Sequence, residues 1–344
     1  MSALAILWFF LIFLLIAGYF ILDGFDLGVG TLFPFICKNE EDRSIARRAI
    51  GPVWDGNEVW LLTAGGALFA AFPDAYATTF SGFYLAIMLV LFALIVRAVS
   101  FEFHAGDSKW APLWNVCFFL GSALPALLFG VAVGNVIAGI PMDAQGNYTG
   151  IPLLGLITPF TLLTGLLGLA MFISAGACWL ALKAPIDSEL RQRALNVKGP
   201  MQWICIALFA AASLCMVAMY GGIIANPGGL MLGSILMIAL FLACLLASIF
   251  VDRVAGNRSD LIAFVTQSGA AAALVFMVAF SMFPNLVNAS SGSIGSAITL
   301  MSAGASDLSL FYMTVILCIG LPFVLVYHVL IYRTFRGRVA IEAQ

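Results

Sequence analysis

Residues 4–34 read LAILWFFLIFLLIAGYFILDGFDLGVGTLFP. At about 1.5 Å rise per helical residue, so long an apolar run crosses a hydrocarbon core of about 30 Å. Yet it contains Asp23 and Asp26, and a carboxylate at the centre of a membrane helix costs about 2.5 kcal/mol or more. The run calls for a membrane, and the two acids call for a partner or a use.

The whole chain agrees with its first run. Of its 344 residues, 63% are hydrophobic and 9% charged, whereas a soluble domain is roughly half apolar and a quarter charged. The runs are continuous rather than short and alternating, which excludes a barrel and predicts an all-α integral membrane protein. The first run has no basic residue before it and passes through glycines into more apolar sequence. It therefore reads as a retained helix and not as a removed signal peptide. Seven cysteines fall mostly inside apolar runs without a CxxC, as packing residues do. A net charge of -2 and the lack of a basic tract give no reason to expect nucleic acid.

Polar breaks divide the chain into nine predicted spans, at about 4–34, 52–72, 76–103, 113–137, 155–182, 202–222, 230–251, 261–283 and 309–332, all in one membrane domain covering 1–344. Lys38, Arg43, Arg47 and Arg48 follow the first span. Arg97 and Lys109 flank the end of the third, and Lys183, Arg191, Arg193 and Lys198 follow the fifth. Arg253 and Arg258 follow the seventh, and Arg333, Arg336 and Arg338 the ninth. The even-numbered connections hold no basic residue, so the odd-numbered ones are expected to be cytoplasmic. That places the N-terminus outside and the C-terminus inside. The same alternation supports the second span, the shortest. The connection from Asn285 to Asp307, rich in Ser, Gly and Ala, is expected to be a loop with a short packed turn.

Five acids lie within spans: Asp23 and Asp26 in the first, Asp55 and Glu58 in the second, and Glu102 at the end of the third. The predicted topology sends all of them to the cytoplasmic half. DGFD and DGNE repeat one pattern in which i, i+3 spacing sets two carboxylates on one helix face. Gly24, Gly28 and Gly30, with Gly65 and Gly66, are of the small type that lets membrane helices approach. If helical, Asp26 lies about 18 Å along its helix from Lys38, and Asp55 about 10 Å from Arg48. Arg97 reaches a similar depth and could pair with either. Such acids can form a structural ion pair with Arg97, a proton or cation path from the cytoplasm, or the ion site of a secondary transporter. The doublet does not recur in the second half, as an inverted repeat would require. His104 and His328, towards cytoplasmic helix ends, read as snorkelling side chains. Two histidines are few for buried haem ligation, and no HExxH, CxxCH, P-loop or GxGxxG appears.

DGFDLGVG (23–30), RRAIGPVWDGNEVWLLTAGGALFAAFPDAYATTFSGFY (47–84) and LIVRAVSFEF (94–103) closely resemble subunit II of the cytochrome bd quinol oxidases, cyanide-insensitive oxidases included. FGVAVGNVIAGIP (129–141) and MFPNLVNASS (282–291) extend the likeness more weakly over most of the chain. The resemblance implies a complex of the bacterial inner membrane that oxidises quinol and reduces oxygen to water. It also implies that haems b and d belong to a homologous, pseudo-symmetric subunit I, so that this chain supplies no catalytic or metal-ligating residue. Small single-helix subunits accompany the pair in the family, and some relatives hold a non-catalytic quinone. The family's cytoplasmic proton path maps onto Asp26, Asp55 and Arg97, with Asp23 beside them, while some members carry Gln at the position of Glu58. A gradient would arise from taking up protons inside and releasing quinol protons outside, without pumping. The alternative is a stand-alone proton-coupled transporter.

Overall fold

The structure is a computed structural model that describes residues 2–104, 109–221, 230–251 and 256–340. Arg253 and the connection at 224–229 lie outside the described residues. In chain order the helices are α1 (Ala3–Ile36), α2 (Glu40–Ile50), α3 (Trp54–Ala71), α4 (Pro73–Gly82), α5 (Tyr84–Phe103), α6 (Ala111–Ala138), α7 (Pro159–Lys183), α8 (Glu189–Tyr220), α9 (Met231–Phe250), α10 (Ser259–Met282), α11 (Leu300–Ala303) and α12 (Asp307–Thr334). Among the described residues, eight of them (α1, α5 to α10 and α12) are long and apolar enough to cross a membrane. The second expected span, α3, carries Asp55 and Glu58 and is not one of the eight. Its 18 residues would still reach about 27 Å.

α1 is the axis of the bundle. Every residue from Asp23 to Phe33 is buried, and α3, α6, α7 and α10 pack around it. A helix covered on all sides needs neighbours close to its backbone, and glycine supplies the room. A Cβ on Gly28 would overlap the Phe172 carbonyl oxygen of α7, and one on Gly176 would overlap the Gly28 backbone in return. A Cβ on Gly24 would stand 2.8 Å from the Phe172 ring. Gly65 and Gly66 do not share this role, because a Cβ on Gly66 meets nothing within 4 Å. Forcing extra methylenes into a packed core costs about 1–3 kcal/mol where neighbours can shift, and here the neighbour is backbone. Gly28→Val is therefore expected to cut the membrane-inserted, assembled protein at least ~10-fold. Gly66→Ala should leave it unchanged, with quantitative immunoblots of purified membranes as the readout.

Three boundaries depart from the sequence reading. The third span is α4 and α5 joined at Phe83, which leaves helical geometry although its N–H still donates to Thr79 O (2.8 Å) and its carbonyl accepts from Ile87 (2.8 Å). The sixth begins at Glu189, capped by Ser188, so Lys198 lies inside α8 and is buried rather than in a connection. α2 was not expected at all. Asn39 caps it through Asp42 N–H, and Glu40, Glu41 and Asp42 open it while Arg47 and Arg48 close it, an order that suits the helix dipole. Its apolar face (Ile45, Ala46, Ala49, Ile50) joins a core with Phe25, Phe33 and Trp179.

The two ends of the bundle differ chemically. At one end, Arg193 pairs with Asp42 and Glu189, and Asp260 takes both Arg191 and Arg338. At the other, residues 283–306 form a small uncharged cap instead of a plain loop. A two-stranded antiparallel pair, β1 (Asn285–Val287) and β2 (Ile298–Thr299), leads into α11, with backbone bonds from Ile140 N to Asn288 O and from Ala305 N to Ala71 O.

Candidate functional site at the basic end of the bundle

α1, α3 and α5 bring the acidic positions and Arg97 together at the end that carries the basic residues. α5 is held by α6, where a Cβ on Gly121 would lie 2.7 Å from Ala93 O and 2.8 Å from Arg97 N. Arg97 is 2% exposed. Its Nη2 donates to Asp23 Oδ1 at 2.7 Å and to Glu58 Oε1 at 2.5 Å. Arg97 thus joins α5 to both neighbours, through Asp23 and Glu58 rather than Asp26 or Asp55.

Asp26 has a different environment. Its Oδ2 accepts from Asn57 Nδ2 at 2.8 Å, and Asn57 Nδ2 also donates to Leu22 O at 3.2 Å. Asn57 Oδ1 accepts from the Tyr332 hydroxyl of α12 at 3.1 Å. Asp26 Oδ1, Asp23 Oδ2 and the Arg97 Nε and Nη1 groups are buried and meet no hydrogen-bond partner among the described residues. Asp26 and Arg97 border a cavity of about 10 Å³ with Ile50, Trp54, Ala98, Phe101 and Phe118. That is room for about one water molecule.

Phe101 also borders a larger cleft of about 740 Å³, open at the same end and lined by parts of α2, α5, α7, α12 and residues 335–340. Glu102 lies on its wall. Asp55, in the first turn of α3, is exposed. The six predicted positions therefore divide. Asp23, Arg97 and the half-buried Glu58 form an ion-paired triad, Asp26 sits beside it on Asn57, and Asp55 and Glu102 lie outside at the surface. Asn57 and Tyr332 were missed. Asn57 occupies the third position of DGNE, read as indifferent, and nothing in the sequence relates Tyr332 to it across 275 residues.

His328 is not a snorkelling side chain: its Nε2 accepts from Trp60 Nε1 at 3.1 Å and its Nδ1 faces Val324 O at 2.9 Å, tying α12 to α3. Both ring nitrogens are engaged, leaving no lone pair for iron. His104 ends α5, where partial burial, and after it the nearby Arg47 and Arg43 cations, hold the imidazole below its ordinary value. Among the described residues no group of three or more His, Cys, Asp or Glu could hold a metal ion. His104 Nε2, by contrast with the ring nitrogens of His328, has no hydrogen-bond partner among the described residues.

Residues 4–335 match the family described as cytochrome bd terminal oxidase subunit II. The chain belongs to that family. It is 33% identical to the cytochrome bd-I ubiquinol oxidase subunit 2 of Escherichia coli (strain K12), over 99% of this chain and 96% of that one. It is also 33% identical to the cytochrome bd ubiquinol oxidase subunit 2 of Bacillus subtilis (strain 168), over 99% and 98%. A probable cytochrome oxidase subunit 2 of Haemophilus influenzae is 41% identical, but over 65% of this chain and 60% of its own length. The fold matches a chain in the structure of the bd oxidase from Geobacillus thermodenitrificans, with a TM-score of 0.79 at 15% identity, covering 97% of this chain and 99% of that one. The chain is a multi-pass protein of the bacterial inner membrane.

Proposed function

We propose that this chain is the non-haem-ligating subunit of a quinol:oxygen oxidoreductase and that it supplies a proton-uptake path from the cytoplasm. One observation carries the reading: Asp26 is fully buried on the wall of a water-sized cavity, and one of its carboxylate oxygens has no hydrogen-bond partner among the described residues. Buried carboxylate oxygens are ordinarily hydrogen-bonded, and Asp26, unlike Asp23, has an amide rather than a cation on its other oxygen. Asp55 and Glu102 are the outer acids, Asp26 is the buried carrier, and Asn57, itself held by the Tyr332 hydroxyl, donates to its second oxygen. Asp23 and Glu58 anchor Arg97, which positions the charge beside the carrier. One guanidinium stands against two fully buried carboxylates and the half-buried Glu58, and protons arriving from solvent can offset the remaining negative charge. The structural ion pair and the proton path then both apply, to different acids.

In this reading haems b and d reside in a partner subunit I, where oxygen reduction consumes the protons. No step of the redox chemistry passes through residues of this chain. α3 supplies the ninth span, with the N-terminus outside and the C-terminus cytoplasmic. The basic residues gathered at the ends of α2, α8 and α12 support that orientation. α12 buries only Leu310 within the chain, which leaves its length for lipid, for subunit I or for small single-helix subunits. A stand-alone transporter has less support, because the acidic cluster is on one side of the bundle and has no counterpart among α7 to α10.

Co-purification tests the assignment. The tagged chain, isolated in mild detergent, is expected to bring down a haem-bearing partner with the absorbance of b and d haems and quinol oxidase activity. Isolation without haem, from membranes that contain both chains, overturns it.

A further inference from the structure

Buried cations are normally paired with an anion, because an unpaired charge away from water is costly. The 740 Å³ cleft departs from that rule. Lys183, 8% exposed, donates to the backbone oxygen of Phe335 at 2.6 Å and reaches that of Gly337 at 3.4 Å, and its Nζ lies 4.9 Å from the Trp179 ring centroid. Among the described residues its ammonium has backbone carbonyls and a ring for company, and no carboxylate. Arg47, with 18% of its side chain exposed, comes no nearer than 3.7 Å to a carboxylate oxygen, that of Glu40. Burial holds its guanidinium below the ordinary value, and only partly do the Glu40 carboxylate and the Cys37 thiol offset that loss. Arg336 is exposed on the rim and forms no ion pair among the described residues. Arg338, by contrast, is neutralised by Asp260. The acid on the cleft wall, Glu102, is exposed.

The surroundings select the kind of anion. The cleft lies where α5, α7 and α12 end and α3 begins, at the level of the membrane surface, and Phe101, Trp179, Val53 and Tyr332 give it an apolar floor. Chloride would leave most of the volume unused. A carboxylate brings one charge, whereas a phosphate ester offers several acceptor oxygens to Lys and Arg donors spread around a wall. Basic pockets between membrane helices on the cytoplasmic side are where anionic headgroups bind.

We propose that the cleft of Arg47, Lys183 and Arg336 is a phosphate site that takes the headgroup of an anionic phospholipid from the cytoplasmic leaflet. The lipid joins the start of α3 and the end of α5 to the C-terminal segment 335–340. Lys183 and Val339, whose N–H donates to Lys183 O at 2.8 Å, hold that segment in place. The proposal needs the orientation given above only to name the leaflet, and it does not depend on proton uptake through Asp26.

The test uses the assembled oxidase, delipidated in detergent and titrated with phosphatidylglycerol, phosphatidylcholine or inorganic phosphate, with bound lipid counted by native mass spectrometry. Phosphatidylglycerol is expected to be retained at least ~10-fold more tightly than phosphatidylcholine. Arg47→Gln with Arg336→Gln should remove that preference. Arg336→Gln alone replaces an exposed side chain without an ion pair, so it folds, and it should weaken retention by roughly 3-fold. Displacement of phosphatidylglycerol by millimolar inorganic phosphate would assign the site to a soluble phosphate instead of a lipid and so overturn the lipid. Equal retention of both lipids, or unchanged preference in the single and double variants, overturns the site altogether. Unaltered b and d haem absorbance in the same samples separates either failure from a failure of the oxidase assignment.

Discussion

Asp26→Asn is expected to slow quinol-driven oxygen consumption by the assembled oxidase at least ~10-fold, since removing a positioned proton-transfer group costs roughly 10²–10⁴ in rate. Haem content should stay close to that of the parent protein. The substitution is nearly isosteric, and the amide oxygen can still accept from Asn57 Nδ2, now 2.8 Å from the carboxylate. What it loses is the ability to take and release a proton at the oxygen that Asn57 does not contact. Asp55→Asn should slow the reaction less, because Asp55 is exposed and bulk water reaches its surroundings directly. An oxygen electrode and a haem difference spectrum on the same preparations check both variants. Full activity in both, with normal haem, would return Asp26 to a packing role and leave the chain without the proton path proposed for it.

How much of this could be read from the sequence differs from residue to residue. The membrane class followed from run length alone, and the basic end from the placement of Lys and Arg. The α1 glycines were legible because small residues in a span that carries polar groups indicate close helix contact, and Gly28 against Gly176 is such a contact. Gly65 and Gly66 look the same in sequence and do not behave so, because which side of a helix meets a neighbour is decided by the neighbour. The same limit governs the acids. Residues i and i+3 differ by about 60° around a helix axis, and that modest angle sends Asp23 towards α5 and Asp26 towards α3. Spacing placed them on one face without saying that they serve different partners. α2 was written in its Asn39 cap and in the sign order of its charges, but eleven residues of low hydropathy do not register when spans are sought. Tyr332 and the C-terminal segment 335–340 join the site through hydrogen bonds to Asn57 and to backbone carbonyls, contacts that leave no local signature.

Arg97→Gln is expected to have the other large effect, on assembly rather than on rate. It leaves Asp23 and Glu58 beside each other without the cation that both contact. Removing one member of a buried ion pair costs about 3–5 kcal/mol, mainly through the uncompensated charge that remains. At about 1.4 kcal/mol per factor of ten, that shifts a folding or assembly equilibrium by more than ~100-fold. The single variant should therefore yield little haem-bearing complex from membranes. A second substitution tells a charge effect from a packing effect. Asp23→Asn together with Arg97→Gln removes one negative and one positive charge and leaves an amide pair that can hydrogen-bond. Much of the lost haem-bearing complex should return if charge was the cause, and none if Arg97 was needed for its shape. The rescued protein also separates anchoring from transfer. With Asp26, Asn57 and Tyr332 intact, it should consume oxygen within a few-fold of the parent if Arg97 only anchors α5. A return of haem without a return of oxygen consumption would mean that the guanidinium charge beside Asp26 is itself part of the proton path, and Arg97 would then be a positioning residue whose charge, and not its packing, sets the rate.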